Sequence, residues 1–395
     1  MVFPGSVSAV AIANFMIKKR ILIITPFCPP SVGGAETHLG DFYEFLRTHG
    51  YFVYVLTYQP ITVKTRGLPL ERKENLEIRR YRWFGGNLFY KLEKLPAIFN
   101  FLYLTPYLFL RSFIFLLFHK DKVDLIHAQG LNAAFIAALL GKIFRKKAYM
   151  STMALYSFKK DSFFTRVVCL VLRSLDKVFA ESPESKKEIV EIGVPAQKVI
   201  LFSHWVNQNK FKPEDKNLAK QRLGWGGKFI VLFVGRAIPI KGGDTLTKVV
   251  TKINPAINIA IISDAGPLLD LFKATAQKHK NFIFVGGVSY EKLHHYYKAA
   301  DIFVIPSRYE EGAARVMMEA VSCGTPVVAS NRGAIPSVLD PTVAIFVDPT
   351  EENLKKAIED LYANPQKLAG LAKNCYPYAQ KHFGFANAQV ITQNY

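Results

Sequence analysis

The sequence predicts an α/β protein made of two Rossmann-like domains that face one another across a cleft. Three observations carry that expectation. From Lys228 onward, short apolar runs of strand length alternate with helical patterns, and such alternation builds a parallel sheet covered on both faces. The first half has runs of the same kind. The chain's 395 residues are enough for two domains of ordinary size.

Composition narrows the class further. Half of the residues are hydrophobic and 21% are charged, so the chain has cores to bury and is not a disordered polymer. The four cysteines, Cys28, Cys169, Cys323 and Cys375, form no short-spaced pair. That pattern fits a reducing compartment and argues against zinc or disulfide frameworks. The net charge of +20 favours an anionic partner: nucleic acid, an acidic membrane surface or a phosphorylated substrate. No RNA-binding signature or zinc-finger spacing is present, which argues against nucleic acid.

Residues 1–15 are apolar and nearly uncharged but lack the basic start of a signal peptide. Met16-Ile-Lys-Lys-Arg20 runs straight into a strand, so 1–15 reads as an extension before Met16, with a weak membrane anchor as the alternative. The first domain is expected over 16–205, with strands at Ile21–Thr25, Phe52–Leu56, Leu125–His127, Ala148–Thr152, Lys177–Ala180 and Val199–Phe202. After the first strand come Gly33 and Gly34, just ahead of a helix. Two glycines there let a phosphate approach backbone amides closely, and a plain tight turn fits as well.

Leu95 to Phe118 is the most apolar stretch and reaches transmembrane length, though Asn100, two prolines and Arg111 interrupt it. It reads either as a pair of buried helices or as a patch that dips into a bilayer interface, flanked by Lys91, Lys94, Arg111, Lys120 and Lys122. Phe158 to Arg173, with Lys159, Lys160, Arg166 and Arg173 among aromatics and aliphatics, has the pattern of a basic amphipathic helix suited to a membrane surface, and an ordinary partly buried helix fits it too.

A linker near 203–226 leads to a second domain, expected over 206–375. Its strands are expected at Phe229–Val234, Ile257–Ile262, Phe282–Val285, Ile302–Ile305, Val327–Ala329 and Ile345–Val347. Arg236 and Lys241 lie on the loop after the first of these. A guanidinium fork and a compact ammonium on one such loop can converge on a diphosphate, although two solvated basic residues fit the same pattern. After Ile305 a polar loop leads to a helix expected to begin near Gly312, with Glu311 at its mouth and Glu319 two turns further in. Helix amides and two carboxylates then stand at the carboxyl edge of the sheet, where open α/β sheets bind ligands. If the whole span is helical, the carboxylates are about 12 Å apart at 1.5 Å per residue. That exceeds the roughly 5–9.5 Å of glycosidase pairs and argues against a hydrolase. Residues 376–395 carry a helical pattern.

With these pieces in order, the chain resembles the family-four retaining glycosyltransferases of the GT-B fold. The matching marks are Gly33-Gly34-Ala-Glu36, Asp124-Leu-Ile-His127-Ala, Val234-Gly-Arg236 with Lys241-Gly242, Ala300-Asp-Ile-Phe-Val-Ile-Pro-Ser307, and Glu311 with Glu319 leading to Cys323-Gly-Thr-Pro-Val-Val-Ala-Ser330. The resemblance covers about residues 20–395.

It implies a UDP- or GDP-linked sugar in the cleft as donor substrate, no other cofactor and no metal; the chain has no Asp-x-Asp motif. It further implies that Arg236 and Lys241 neutralise the diphosphate, which Gly34, next to Gly33, caps from the first domain. Glu319 would hold the ribose hydroxyls. Glu311, with loop amides from Gly312 through Ala313 to Ala314, would face the sugar. Transfer with retention is ascribed in this family to front-face attack, the donor phosphate helping to take the acceptor proton. The last helix of such proteins crosses back onto the first domain.

The implied activity is metal-independent, retaining hexosyl transfer to a lipid-linked or glycan acceptor. Its place would be the cytoplasmic face of a membrane with anionic lipid, with no nucleic-acid partner.

The chain departs from the family at four places. Ser151-Thr-Met-Ala154 stands where Thr-x-His is usual, so a histidine near the sugar is missing. His127 is the candidate to compensate, and a structural role fits it equally. His204-Trp-Val-Asn207 replaces Asn-Gly-Val-Asp, Gly312-Ala-Ala-Arg315 is a tighter and more basic sugar loop, and Ser263-Asp-Ala-Gly-Pro267 replaces a motif begun by glycine. Ala154 leaves open a degenerate member that binds sugar nucleotide or glycan without turnover. A nucleotide-sugar epimerase keeps the fold but matches less well over 305–330.

Overall fold

A computed structural model describes residues 17–31, 33–61, 65–85, 87–92, 95–159, 162–312 and 314–395. The expectations for residues 1–15, for Met16, and for Lys94, Lys160 and Ala313 lie outside the described residues.

The described residues form two sheets. The first contains β1 (Lys19–Ile24), β2 (Tyr51–Tyr58), β3 (Leu70–Lys73), β4 (Leu76–Tyr81), β5 (Leu125–Gln129), β6 (Lys147–Ser151), β7 (Lys177–Ala180) and β8 (Val199–Leu201). Their order is β3-β4-β2-β1-β5-β6-β7-β8. All neighbours are parallel except the β3–β4 pair. The second contains β9 (Phe229–Val234), β10 (Ile257–Ile262), β11 (Phe282–Gly286), β12 (Ile302–Ile305), β13 (Val327–Ser330) and β14 (Ala344–Val347). It is wholly parallel, in the order β11-β10-β9-β12-β13-β14.

Each sheet is buried on both faces, which is why its strands read as continuous apolar runs. In β1, Leu22 and Ile24 enter one core while Ile21 and Ile23 enter the other, as the two-residue period requires. The second sheet divides in the same way, with Leu232 on one side and Val231 on the other.

β3 and β4 carry too many charges for strands to be read from apolar pattern. Their charges are neutralised by pairing: Arg80, 5% exposed, reaches Glu71 at 2.8 Å, and Arg79 reaches Glu77 at 2.7 Å.

Leu95 to Phe118 is not a pair of helices. One continuous helix, Ala97–His119, includes Pro106. Tyr103, Leu104, Leu108, Phe115 and Leu116 bury its inner face against the first sheet, while Leu102, Leu117 and Phe118 are exposed. The basic amphipathic stretch forms the helix Phe163–Ser174, capped by Ser162.

The chain passes between the sheets near His204 and again near Phe383. Val206 N–H donates to Phe383 O at 3.0 Å, and Asn387 Nδ2 donates to His204 O at 3.0 Å. The expected linker contains the helix Lys216–Arg222. The end of the chain is two helices, Pro365–His382 and Ala386–Thr392. The second buries Ala388 and Ile391 in the core formed by β1 and β2, and Lys19 Nζ donates to Tyr395 O at 2.9 Å.

Candidate functional site

The order of the second sheet reverses direction between β9 and β12, and open α/β sheets place their ligand crevice at such a point. The loops leaving those two strands carry the expected residues. Gly242, at φ 74°, turns the first loop; a Cβ there would lie 2.0 Å from Pro306 O, so only glycine fits.

Lys241 and Glu311 meet in this crevice. Lys241 Nζ lies 2.8 and 3.0 Å from the two Glu311 oxygens and 2.8 Å from Tyr309 Oη. Tyr309 donates to Glu311 Oε2 at 2.6 Å, and Ser307 donates to Oε1. The Glu311 side chain is 4% exposed, so these bonds hold it in one position. Burial beside Glu311 pushes the Tyr309 hydroxyl up, keeping it protonated as a donor. The sequence alone assigns no role to Ser307 or Tyr309. Their place on the loop directly after a strand at the switch point is the signal that could have found them.

Arg236 stays outside this cluster. It is exposed and, among the described residues, has no carboxylate within ion-pair distance. It is close enough to Glu36, at the start of the helix Gly34–Thr48, to oppose the upward shift that burial imposes on that carboxyl. The amino end of the first domain's first helix therefore confronts the β9 loop of the second. Gly34 is exposed there, with open space beside its Cα. Gly33 has no such space, since a Cβ would sit 2.2 Å from Glu36 Oε2.

The expected helix starts later than Gly312. It spans Arg315–Ser322 with Ala314 as N-cap, so Glu311 and Gly312 belong to the loop. That loop is held from behind by Gly333. Its φ is 56°, and a Cβ would approach Glu311 O to 2.2 Å. Ala334 N–H also donates to Glu311 O at 2.8 Å.

Glu319 lies one turn into the helix and is 3% exposed. Tyr297 Oη donates to its Oε2 at 3.0 Å, and Arg315 Nε stands 3.7 Å from Oε1. Burial raises its pKa to about 7, with Arg315 opposing the shift. Arg315, which the sequence marked only as a basic departure, joins the domains. It donates to Trp205 O at 2.9 Å and to Asp41 Oδ2 at 2.6 Å.

His127 does not join the crevice. It is fully buried, with Nδ1 2.5 Å from Tyr395 Oη and Nε2 2.9 Å from Ser151 Oγ. Burial drives its pKa down to about 3, so the ring is neutral and sealed by the end of the chain. Its catalytic assignment gives way to a structural one.

Comparison with known proteins agrees with this architecture. The family Glycosyltransferase Family 4 matches residues 32–210, and Glycosyl transferases group 1 matches 215–382. An uncharacterized glycosyltransferase of Methanocaldococcus jannaschii is 25% identical over 94% of this chain and 96% of its own. The phosphatidylinositol N-acetylglucosaminyltransferase GPI3 subunit of Saccharomyces cerevisiae is 21% identical over 84% of this chain and 72% of its own. Among solved structures, sucrose-phosphate synthase from Thermosynechococcus elongatus superposes with a TM-score of 0.78 at 23% identity, covering 95% of this chain and 98% of its own. HepE of Anabaena, solved with UDP and glucose, gives 0.75 at 21% identity over 95% and 98%.

Two Rossmann-like domains give the GT-B fold, and the two family matches make its class that of the glycosyltransferases. The chain belongs to family four of these enzymes.

Proposed function

We propose that the protein transfers a hexose from a UDP- or GDP-linked donor to a lipid-linked or glycan acceptor, with retention and without a metal. The observation that carries this reading is the meeting of Lys241 and Glu311 in the switch-point crevice, with Arg236, which has no ion pair among the described residues, on the same loop as Lys241 and near the Glu36 end of the first domain's first helix. HepE, at the same fold, is solved with UDP-glucose. The relatives include a GDP-mannose-dependent phosphatidylinositol monomannoside mannosyltransferase from Mycolicibacterium smegmatis.

In this reading Arg236 takes the diphosphate directly. Lys241 exchanges its bond to Tyr309 for one to a phosphate oxygen while keeping Glu311. As the bond from the anomeric carbon to the diphosphate breaks, negative charge grows on the leaving group. Fixed cations and the amides of Gly34, Gly312 and Ala314 then stabilise the transition state more than the ground state. Glu319 accepts from the ribose hydroxyls in its ionised form, and Glu311 lines the sugar.

The first domain supplies the acceptor side. Leu117 and Phe118 on the helix Ala97–His119, Leu139 and Ile143 on Leu131–Phe144, and Phe163 and Leu170 on Phe163–Ser174 are all exposed large hydrophobics. These three helices pack side by side, and Lys120, Lys122, Lys142, Arg145, Arg166 and Arg173 are exposed around them. Such a face suits an anionic membrane at its cytoplasmic side. Arg111 is not part of the free rim, because its guanidinium stacks 4.2 Å from the Tyr81 ring.

Incubation with UDP-[14C]glucose or GDP-[14C]mannose and a membrane lipid extract tests the reading. Label passing into the lipid fraction with release of nucleotide is expected, and donor binding without either would leave the degenerate binder, which Ala154 favours, as the description.

A further inference from the structure

Glu181 follows β7 and sits at the seam between the domains, 4% exposed. Its position is fixed from three directions. Its backbone N–H donates to Thr152 Oγ1 at 3.0 Å, and the next residue, Ser182, caps the helix Pro183–Glu191. His204 Nε2 lies 2.8 Å from Oε2, and only a protonated nitrogen can face a carboxylate so closely. His204 is itself held by His38, whose Nδ1 is 2.9 Å from its own Nδ1. Burial lowers the His38 pKa well below the usual range, so that ring is neutral.

This relay occupies one carboxylate oxygen and turns the other away. Oε1 is buried and has no hydrogen-bond partner among the described residues. It lies against the loop that follows Glu311: a Cβ on Gly312 would come within 2.4 Å of it and 3.8 Å of Ala154 Cα. A buried acceptor without a donor is costly, and functional sites are where such atoms persist. Neither Gly312 nor Ala154 brings a polar side chain to this place.

We infer that Glu181 Oε1 accepts a hydrogen bond from a hydroxyl group of the sugar substrate bound at the seam, making Glu181 a specificity-determining residue. The inference rests on the donor reading above. A carboxylate repels the diphosphate, so the group that meets it must bring a donor, and a hexose hydroxyl is that donor. The hydroxyl belongs either to the transferred hexose or to the acceptor.

Glu181→Gln separates these cases. Its carbonyl can keep the bond from His204 while its amide N–H₂ replaces the free carboxylate oxygen at the seam, putting a donor where the substrate hydroxyl needs an acceptor. Binding of UDP-glucose, GDP-mannose, UDP and GDP is measured by calorimetry on wild type and variant, with the thermal midpoint as the check on folding. If the hydroxyl is the donor's, affinity for the sugar nucleotide falls at least tenfold while affinity for the bare nucleotide stays within twofold. If it is the acceptor's, both affinities stay and transfer into a membrane lipid extract falls at least tenfold.

Gly312→Ala, which drives a methyl group at the same oxygen, should reproduce whichever loss appears. A folded Glu181→Gln protein with sugar-nucleotide affinity and lipid transfer both within twofold of wild type overturns the inference. A wild-type protein that binds none of the four compounds overturns the donor reading itself, and this inference with it.

Discussion

Arg315 and Asp41 form a buried ion pair across the two domains, with Arg315 Nη2 2.6 Å from Asp41 Oδ2. Asp41 lies on the first helix of the first domain, and Arg315 opens the helix that carries Glu319. The same guanidinium touches Trp205 O and Tyr290 Oη, so it links both domains and the segment between them. Removing it strands two carboxylates, Asp41 and Glu319, in a site built for a cation.

Arg315→Ala should therefore destabilise the fold by about 3–5 kcal/mol, the usual cost of breaking one side of a buried pair. Calorimetric melting measures this. A midpoint within a degree of wild type would show that the pair contributes nothing net.

Arg236→Ala should separate binding from folding. The residue is exposed and unpaired among the described residues, so its truncation should change stability by less than about 0.5 kcal/mol. Nucleoside diphosphate affinity should drop by about 1.5–3 kcal/mol, the range for hydrogen bonds to charged groups. Titration with UDP and GDP checks both the loss and its independence of the sugar.

Gly333→Ala should damage the crevice from behind. At φ 56° an alanine is strained, and its Cβ would meet Glu311 O at 2.2 Å. Strain of this kind costs about 1–3 kcal/mol, and relief by moving the loop displaces Glu311 from Lys241. Transfer activity should fall more than stability does; an active, normally melting variant would show that the loop adapts.

The pH dependence follows from Glu319. Its pKa rises from 4.5 to about 7 on folding, chiefly through burial. Arg315, Tyr297 and Lys210 face it and oppose the rise, and Asp41 adds to it. A raised folded pKa contributes stability that is full below pH 4.5 and lost as pH climbs through 7. Melting temperature should therefore decline over that window, less so in Glu319→Gln. Donor affinity should run the opposite way, rising through pH 7 as the carboxylate ionises for the ribose hydroxyls. Parallel melting and titration series from pH 5 to pH 8 test the two signs together.

Vesicle pelleting tests the acceptor face. Binding should favour anionic over neutral phospholipid and weaken with salt, because it combines apolar insertion with screened charge. Phe118→Ser with Phe163→Ser should reduce it at constant donor affinity. Equal pelleting with both lipids would remove the membrane assignment.

The sequence by itself determined the two sheets and most of their strands, because strands buried on both faces must be apolar runs. It also placed Arg236, Lys241 and Glu311 on the loops that leave β9 and β12, with Glu319 on the helix that follows the second. It could not show the charged strands β3 and β4, whose charges are matched within the hairpin they form rather than by any apolar pattern. Nor could it separate His127 from the crevice, because Tyr395, which seals it, is 268 residues away. The relay from His38 through His204 to Glu181 joins three distant segments of the chain. Local pattern decides which elements form. Only packing decides which polar groups find partners, and among the described residues it leaves Arg236 without an ion pair and one oxygen of Glu181 without a donor.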